Sequence, residues 1–227
     1  MHKIKLIQII IVALINFLFY SNYCFSQNIN WASLDKEQRH VLNLNAGLDF
    51  GLTYGVAYGF QLKTSLPIVL NIEQAHPSGN RFLEDFKTKI GGQIRWFQAG
   101  DFQFSTKLQG IFRRFKNPVV RLINFGGDLS GTFGYYKPKW YVAADVGFDK
   151  AIVTHFKHSN SYKEDFPTVQ DGWYEPATGG DFYYGLQTGF SFKRNDLTLK
   201  FGNVLFQDFK TKPTIPFYAQ LGFNRRF

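Results

Sequence analysis

Apolar and polar residues alternate with a period of two along most of the chain. In residues 101–116 the even positions include Phe102, Phe104 and Leu108, whereas the odd positions are mainly polar. Residues 215–227 show the same alternation. Because successive side chains of a β-strand point to opposite faces of a sheet, this pattern predicts strands with one apolar and one polar face. Apart from a short turn at residues 31–39, no window follows a helical period better.

The joins between the predicted strands differ in length. Short, turn-forming segments stand at 63–65, 98–100, 137–139 and 193–195. The joins that alternate with them are mostly longer, above all residues 157–180. Short turns on one side and longer loops on the other are typical of an outer-membrane barrel with its turns in the periplasm.

The strand count depends on residues 41–62, which keep one phase over 22 positions. One membrane strand needs only ~9–11 residues. A three-residue loop at 51–53 splits the segment and preserves its phase. The sequence therefore predicts an all-β, transmembrane, antiparallel up-and-down β-barrel of ten strands, with eight as the fallback, because bacterial single-chain barrels have even numbers. The predicted strands are 41–50, 54–62, 66–75, 84–97, 101–116, 119–136, 139–156, 181–193, 196–209 and 215–227.

The N-terminal region has the pattern of a secretory signal peptide. Lys3 and Lys5 precede a nearly uninterrupted apolar run at 6–20, and small residues at Cys24 and Ser26 fit a signal-peptidase site. The alternative is a membrane anchor, for which the run is shorter than the ~20 residues that span a bilayer. We therefore expect cleavage after Ser26.

Removal of residues 1–26 leaves 24 basic and 17 acidic side chains and no cysteine. Disulfides and thiolate metal sites are then excluded, and no cofactor is expected. No later stretch approaches the ~18 consecutive apolar residues of a transmembrane helix. The predicted organisation is a signal peptide at 1–26, a periplasmic N-terminal segment at 27–40 and the barrel at 41–227.

A soluble β-sandwich or lipocalin-like barrel would also show alternating strands. Two features favour a membrane barrel instead: the alternation is nearly uniform in every strand, and aromatic residues concentrate beside the short turns. Aromatic side chains at that level form an interfacial girdle, with the ring in hydrocarbon and the polar edge among headgroups. The girdle predicted from the sequence is Phe60, Trp96, Phe97, Tyr135, Tyr136, Trp140, Phe192 and Phe223.

The final segment carries aromatic residues at Phe217, Phe223 and Phe227. In these residues the sequence resembles Gram-negative outer-membrane β-barrel proteins, in which a C-terminal Phe is read by the barrel-insertion machinery. The signal peptide ending in Phe-Ser before Gln is similar to those of the Bacteroidota. The resemblance covers residues 41–227 and implies a monomer in the cell outer membrane. The expected partners are outer-membrane lipid, lipopolysaccharide and the insertion machinery, and nucleic acid is excluded by this location.

If the apolar face meets lipid, the polar face lines the lumen. Its charges are balanced, and a buried charge that fails to pair costs several kcal/mol. We therefore expect a lumen closed by an ionic and hydrogen-bonded network with some trapped water, since wide aqueous channels appear at about 16–18 strands. The alternative is a narrow solute channel with unpaired charges around a continuous water path. The predicted lumen network is Asp49, Glu73, Lys89, Arg95, Lys107, Arg113, Asp128, Asp145, Asp149, Lys200, Asp208 and Arg226.

Basic residues also collect in or near the predicted outward loops. Arg114, Lys116, Arg121 and Lys157 lie near the extracellular ends of adjacent strands. Guanidinium groups at that height can hold lipopolysaccharide phosphates through paired hydrogen bonds. The alternative is an ordinary solvated rim that orients the barrel.

The long loop contains the residues that could carry chemistry. His158-Ser159-Asn160 faintly resembles the His-x-Ser-Asn signature of outer-membrane lipid A deacylases, which implies His as base and Ser as nucleophile. Here His and Ser are adjacent rather than one residue apart, whereas His155 is four residues from the serine. Another hypothesis is a divalent-metal site that uses both histidines and an acid. The candidate residues are His155, His158, Ser159, Glu164, Asp165, Asp171 and Glu175.

The function predicted from the sequence is therefore structural or interaction-based at the cell surface. The predicted protein is a barrel with a closed lumen and an ordered extracellular loop, with no metal site assigned. The two alternatives are a lipid A-directed ester hydrolase and a narrow solute channel.

Overall fold

A closed antiparallel barrel of ten strands forms the body of the protein. The computed structural model describes residues 28–35, 37–48, 52–78, 84–176 and 179–227. An eleventh, short strand and a short helix lie in the longest described loop. In chain order the elements are β1 (His40–Leu48), β2 (Leu52–Gln61), β3 (Ile68–Pro77), β4 (Asp85–Ala99), β5 (Phe102–Lys116), β6 (Val120–Tyr136), β7 (Trp140–His158), α1 (Asn160–Asp165), β8 (Gly172–Tyr174), β9 (Gly180–Phe192), β10 (Asn195–Phe206) and β11 (Phe217–Arg226).

Closure occurs between the first and last strands. β1 pairs with β11 over eight residue pairs, with Asn43 opposite Asn224. Inside the barrel the Asn43 side-chain amide donates to Asn224 Oδ1 at 2.6 Å, and the Asn45 amide donates to Asn43. The predicted count of ten barrel strands is confirmed. The split of residues 41–62 falls between Leu48 and Leu52, and Asp49 lies outside the described residues.

The barrel is polar inside and apolar outside. On the inner face Asn43, Gln109 and Glu73 expose 1–2% of their surface. On the outer face Ile90 and Leu108 expose 59% and 64%. This is the reverse of a soluble protein, in which apolar side chains fill the interior.

The N-terminal segment enters the end of the barrel that carries the short turns. Ile29 and Trp31 are buried in an apolar cluster with the inward-facing Tyr136 and Tyr141. The Asn30 amide donates to Lys137 O at 3.0 Å and to the Ser191 hydroxyl at 2.9 Å. Residues 28–34 of the N-terminal segment are thus packed into the barrel mouth.

Two strand irregularities change which side chains face outward. Trp96 is an extra residue in β4, so that both Trp96 and Phe97 are half exposed on the outside. A second irregularity, near Ile152, interrupts the pairing of β6 with β7.

Tyr136, which the sequence placed in the aromatic girdle, lies on the inner face. Its ring stacks on that of Tyr141, with ring centroids 5.1 Å apart.

At the end of the barrel opposite the short turns, the strands extend to different lengths. β7 continues past the start of β9, and there β8 pairs with it at residues 154–156. The Ser159 hydroxyl accepts from Tyr162 N at 3.2 Å and caps α1. No helix among the described residues is long and apolar enough to cross a membrane.

Candidate functional site

The centre of the lumen is occupied by charges held in contact across the barrel. Lys89 Nζ on β4 lies 2.5 Å from Asp128 Oδ2 on β6. The second oxygen of Asp128 accepts from the Tyr183 hydroxyl on β9 at 2.8 Å. Three strands from different sides of the barrel therefore meet at one carboxylate, which binds the walls together.

A second pair lies beside the first. Lys200 Nζ is 2.8 Å from Asp145 Oδ2, and the rings of Tyr183 and Tyr218 stand 4.9 and 5.3 Å from the ammonium. The face of an aromatic ring attracts a cation, so this lysine is held by one carboxylate and two rings. Glycine provides the room, because a Cβ at Gly185 would lie 2.6 Å from the Tyr218 hydroxyl oxygen.

A third ion pair lies in the lumen between β3 and β5. Lys107 Nζ lies 3.3 Å from Glu73 Oε1, and both side chains expose less than a tenth of their surface. Nearby, the Gln109 amide donates to Asn71 Oδ1 at 3.0 Å. These contacts connect β3 with β5 across the strand between them.

Further pairs lie toward the two ends of the lumen. Lys87 contacts Asp149 at 2.8 Å near the long loops. Near the short turns, Arg226 contacts Asp196 at 3.2 Å and donates to Ser33 O in the N-terminal segment. Polar contacts thus run along much of the barrel axis.

Among the described residues of the network predicted from the sequence, only Asp208 lies off the inner face, whereas Arg95 lies on that face but lacks an acidic partner. Arg95 meets no carboxylate in the contacts described; it stands 5.9 Å from the Trp31 ring and donates to Gln103 at 3.4 Å. Asp208 lies in an exposed turn after β10, where the hydrogen bond from the Thr211 hydroxyl lowers the pKa of its carboxyl. The lumen position predicted for Asp208 is therefore not observed.

Several members of the network were not predicted from the sequence. Lys87 shares the phase of Lys89, and Asp196 shares that of Lys200, so the period-two pattern contained the signal for both. Arg113 was predicted in the lumen, but its partner Asp85 was not, although they lie 3.4 Å apart. The tyrosines that complete the central contacts are Tyr183 and Tyr218.

In the long loop, Asp171 joins three groups. Its Oδ1 accepts from the His158 backbone N–H at 2.9 Å and lies 3.1 Å from His158 Nδ1, while its Oδ2 accepts from Lys163 Nζ at 2.6 Å. The bonds from Lys163 and the His158 backbone hold the pKa of Asp171 well below its usual range. The carboxylate therefore stays ionised and ties β7, α1 and the start of β8 together.

The structure brings together only part of the constellation proposed for ester hydrolysis. Ser159 caps α1 and lies 3.1 Å from the Ser161 hydroxyl. Among the described residues, no hydroxyl group forms a hydrogen bond with the imidazole of His158. That ring instead stacks on Tyr162, with ring centroids 5.4 Å apart. A nucleophilic serine must contact its base, and this arrangement does not provide that contact.

The other loop candidates are dispersed. His155 faces outward and meets the edge of Trp173 at 4.9 Å. Over the described residues, no three His, Cys, Asp or Glu side chains are grouped as a metal would require. The exposed acids of the loop are Glu164, Asp165 and Glu175.

A row of basic residues crosses the outer face of three adjacent strands. In the register, Lys116 lies opposite Arg121, and Arg121 lies opposite Lys157. Lys116 contacts Glu84 at 3.1 Å, whereas neither Arg121 nor Lys157 has an acidic partner among the described residues. Like charges directly opposite on a sheet repel, so this row is a place where an anion would stabilise the protein.

We expect the central pairs to depend on each other. Lys200→Met should lower the free energy of unfolding by about 3–5 kcal/mol, because it leaves Asp145 buried without its cation. Adding Asp145→Asn should restore most of this loss. The measurement is urea unfolding in lipid vesicles, followed by tryptophan fluorescence.

Lys137→Met is the matched control, since Lys137 forms an exposed pair with Asp101 at 2.5 Å. Exposed pairs contribute little, so this variant should unfold like the parent protein. A Lys200→Met protein as stable as the parent would show that the central pair is not a stabilising contact.

Comparison with known proteins gives matches in structure alone. No family model and no curated protein sequence matches the chain. One similar structure is described as the KdgM porin in complex with disordered oligogalacturonate, with 9% identity, a TM-score of 0.42, and coverage of 82% of this chain and 99% of that chain. The Ralstonia pickettii toluene transporter TbuX has 9% identity, a TM-score of 0.36, and coverage of 88% and 92%. A third, from work on the in-meso crystallization of membrane proteins, has 7% identity, a TM-score of 0.37, and coverage of 83% and 84%. At these levels of similarity, the comparisons assign no substrate to this chain.

Proposed function

We propose that this protein is an outer-membrane barrel whose lumen is closed to solutes and whose role is structural or interaction-based at the cell surface. The observation that carries the proposal is the pairing of the central lumen charges behind a wall of outward-facing apolar residues.

A membrane location is supported by the surface of the barrel. Large apolar side chains such as Leu44, Ile90 and Leu108 are exposed on its outer face. Soluble monomers rarely expose contiguous apolar surface of this extent, whereas lipid requires it. Trp96 and Trp140, near the short turns, supply half-exposed rings suited to the membrane interface.

The topology supports the proposed orientation. Both ends of the barrel chain, at β1 and β11, lie on the side of the short turns, which is the periplasmic side in bacterial barrels. α1 and β8 then lie outside the cell, where an ordered loop is accessible to partners. Insertion through the C-terminal strand ending at Phe227 belongs to the same proposal.

A closed lumen is supported by accessibility as well as by pairing. The side chains of the Lys89–Asp128, Lys107–Glu73 and Lys200–Asp145 pairs each expose about a tenth of their surface or less. The N-terminal segment also packs into the mouth of the barrel at the end with the short turns. A charge that lines a water-filled pore would be more exposed, so these contacts favour a closed barrel over a channel.

Conductance measurements test closure. The purified protein in a planar lipid bilayer should give no stable conductance steps. A variant with Lys89, Asp128, Asp145 and Lys200 replaced by Ser should give ohmic steps, because small neutral side chains leave room for water. Regular steps from the unmodified protein would instead support the narrow-channel alternative.

We further infer that the basic row holds phosphate groups of lipopolysaccharide. Lys116, Arg121 and Lys157 lie side by side on the outer face. The half-exposed Phe125 and Trp173 lie close to one another near this row, with ring centroids 6.1 Å apart. Cations beside exposed aromatic rings match a boundary between phosphate and hydrocarbon. Arg114 lies on β5 two residues before Lys116, on the same face of the strand, and adds a fourth cation.

Binding of purified lipopolysaccharide to the detergent-solubilised barrel tests this inference. Arg121→Gln with Lys157→Gln should weaken binding by about 25-fold at physiological salt, because each cation near an anionic surface contributes about 1 kcal/mol. Lys212→Gln, which removes an exposed loop cation away from the row, is the control and should bind like the parent. Equal affinities for the parent and the double variant would contradict a phosphate site at this row.

A further inference from the structure

Three polar side chains interrupt the apolar outer face of β3 and β4. Gln74 and His76 have the phase of Leu70 and Ile72, which are exposed, and the opposite phase from the buried Glu73. Thr88 lies opposite Gln74 in the register. In a membrane barrel, polar groups at outward positions cost free energy unless they are hydrogen-bonded.

These residues form a small hydrogen-bonded cluster. The Thr88 hydroxyl donates to Gln74 Oε1, and Gln74 Nε2 lies 3.3 Å from His76 Nε2. A glutamine amide has two N–H donors. With one directed at His76, the other has no acceptor among the described residues and is available to a ligand.

Gln74 and His76 of this cluster line an open outward groove of about 530 Å³. Leu44, Val56, Tyr54 and Phe86 supply its apolar walls. The His76 ring is 7% exposed although it faces outward, because Tyr54 and Phe86 flank it with ring centroids about 6 Å away. The groove is therefore a shaped recess with one donor in it, rather than a flat part of the lipid-facing surface.

A cation lies one strand away. Arg114 on β5 is directly opposite Phe86 in the register, and among the described residues it forms no ion pair. The apolar groove, the Gln74 donor and the Arg114 cation thus lie in the same order as the parts of an amphiphile, which are an apolar chain, a polar linkage and an anionic headgroup.

We propose that this groove binds one diacyl glycerophospholipid. One acyl chain fills the recess, Gln74 donates to the ester carbonyl oxygen, and Arg114 contacts the phosphate. Arg114 is the cation of the basic row that lies nearest the groove. One recess beside this one cation suits a phospholipid better than a lipopolysaccharide with its several acyl chains and phosphates. The proposal rests on the membrane location proposed above.

Native mass spectrometry of the detergent-solubilised full chain tests the site. The two probes are phosphatidylglycerol with ester-linked chains and its ether-linked analogue, which lacks the carbonyl oxygens. The parent protein should retain the ester lipid about fivefold better, the effect of one hydrogen bond. Gln74→Leu should reduce retention of the ester lipid to that of the ether lipid, and it should fold well because leucine suits a lipid-facing position. Arg114→Gln should weaken both lipids equally.

Thr106→Val is the matched control, because Thr106 is an outward hydroxyl that accepts from Trp96 Nε1 at 2.8 Å, away from the groove. It should keep the preference for the ester lipid. Equal retention of both lipids by the parent protein, or a preference that survives Gln74→Leu, would overturn the site. Displacement of phosphatidylglycerol by equimolar lipopolysaccharide would overturn the phospholipid assignment. If the proposed membrane location is wrong, the protein should instead retain neither lipid and should not insert into vesicles.

Discussion

Pairing of β1 with β11 is the contact on which the rest of the structure depends. It provides partners for backbone N–H and C=O groups that an open sheet would leave unpaired at two edges. In a bilayer such groups have no water to bind, so only a closed barrel can place these strands in hydrocarbon. The amide contacts of Asn43 and Asn224 lie inside this seam, and Asn224 also donates to Asn28 O at 2.7 Å. The seam therefore connects closure of the sheet with the N-terminal segment in the barrel mouth.

Closure also determines what the interior must contain. A sheet with its apolar side chains outside places its polar side chains in a narrow lumen, where isolated charges are costly. Lys89, Lys107 and Lys200 each meet a carboxylate there. The ion pairs that stabilise the interior also occupy its space. The closed lumen therefore depends on the same contacts that make the polar interior stable. Functional contacts are then expected on the outer surface and in the loops, where the basic row and the Gln74 groove lie.

The period-two pattern predicted the strands well because one phase controls every side chain in a strand. β5 was predicted at 101–116 and is observed at Phe102–Lys116, and the other barrel strands end within a few residues of the predictions. The pattern failed where phase changes locally. The extra residue Trp96 in β4 depends on pairing with β5, which alternation along one segment cannot show. Tyr136 was wrongly placed in the girdle because it stands beside a short turn, although it has the phase of the inward-facing Asp128. The phase of Asp196 placed it inside the barrel, but which charges meet depends on the register around the whole barrel, so alternation alone does not identify Asp85 and Asp196 as the partners of Arg113 and Arg226. The burial of Trp31 depends on tertiary contacts that its local sequence does not contain.

In this barrel the outer face is proposed to meet lipid and the lumen to be closed to solutes. The one cysteine of the chain is Cys24, within the predicted signal peptide, so single cysteines can be introduced without a competing thiol. The most direct test is spin labelling at each position of 102–112 in β5, with relaxation by oxygen and by a water-soluble nickel complex in vesicles. We expect strong oxygen relaxation at the even positions, which face lipid, and weak relaxation by both agents at the odd positions, which face the closed lumen. Strong nickel relaxation at the odd positions would reveal a water-filled lumen, and strong nickel relaxation at the even positions would contradict the membrane-facing surface.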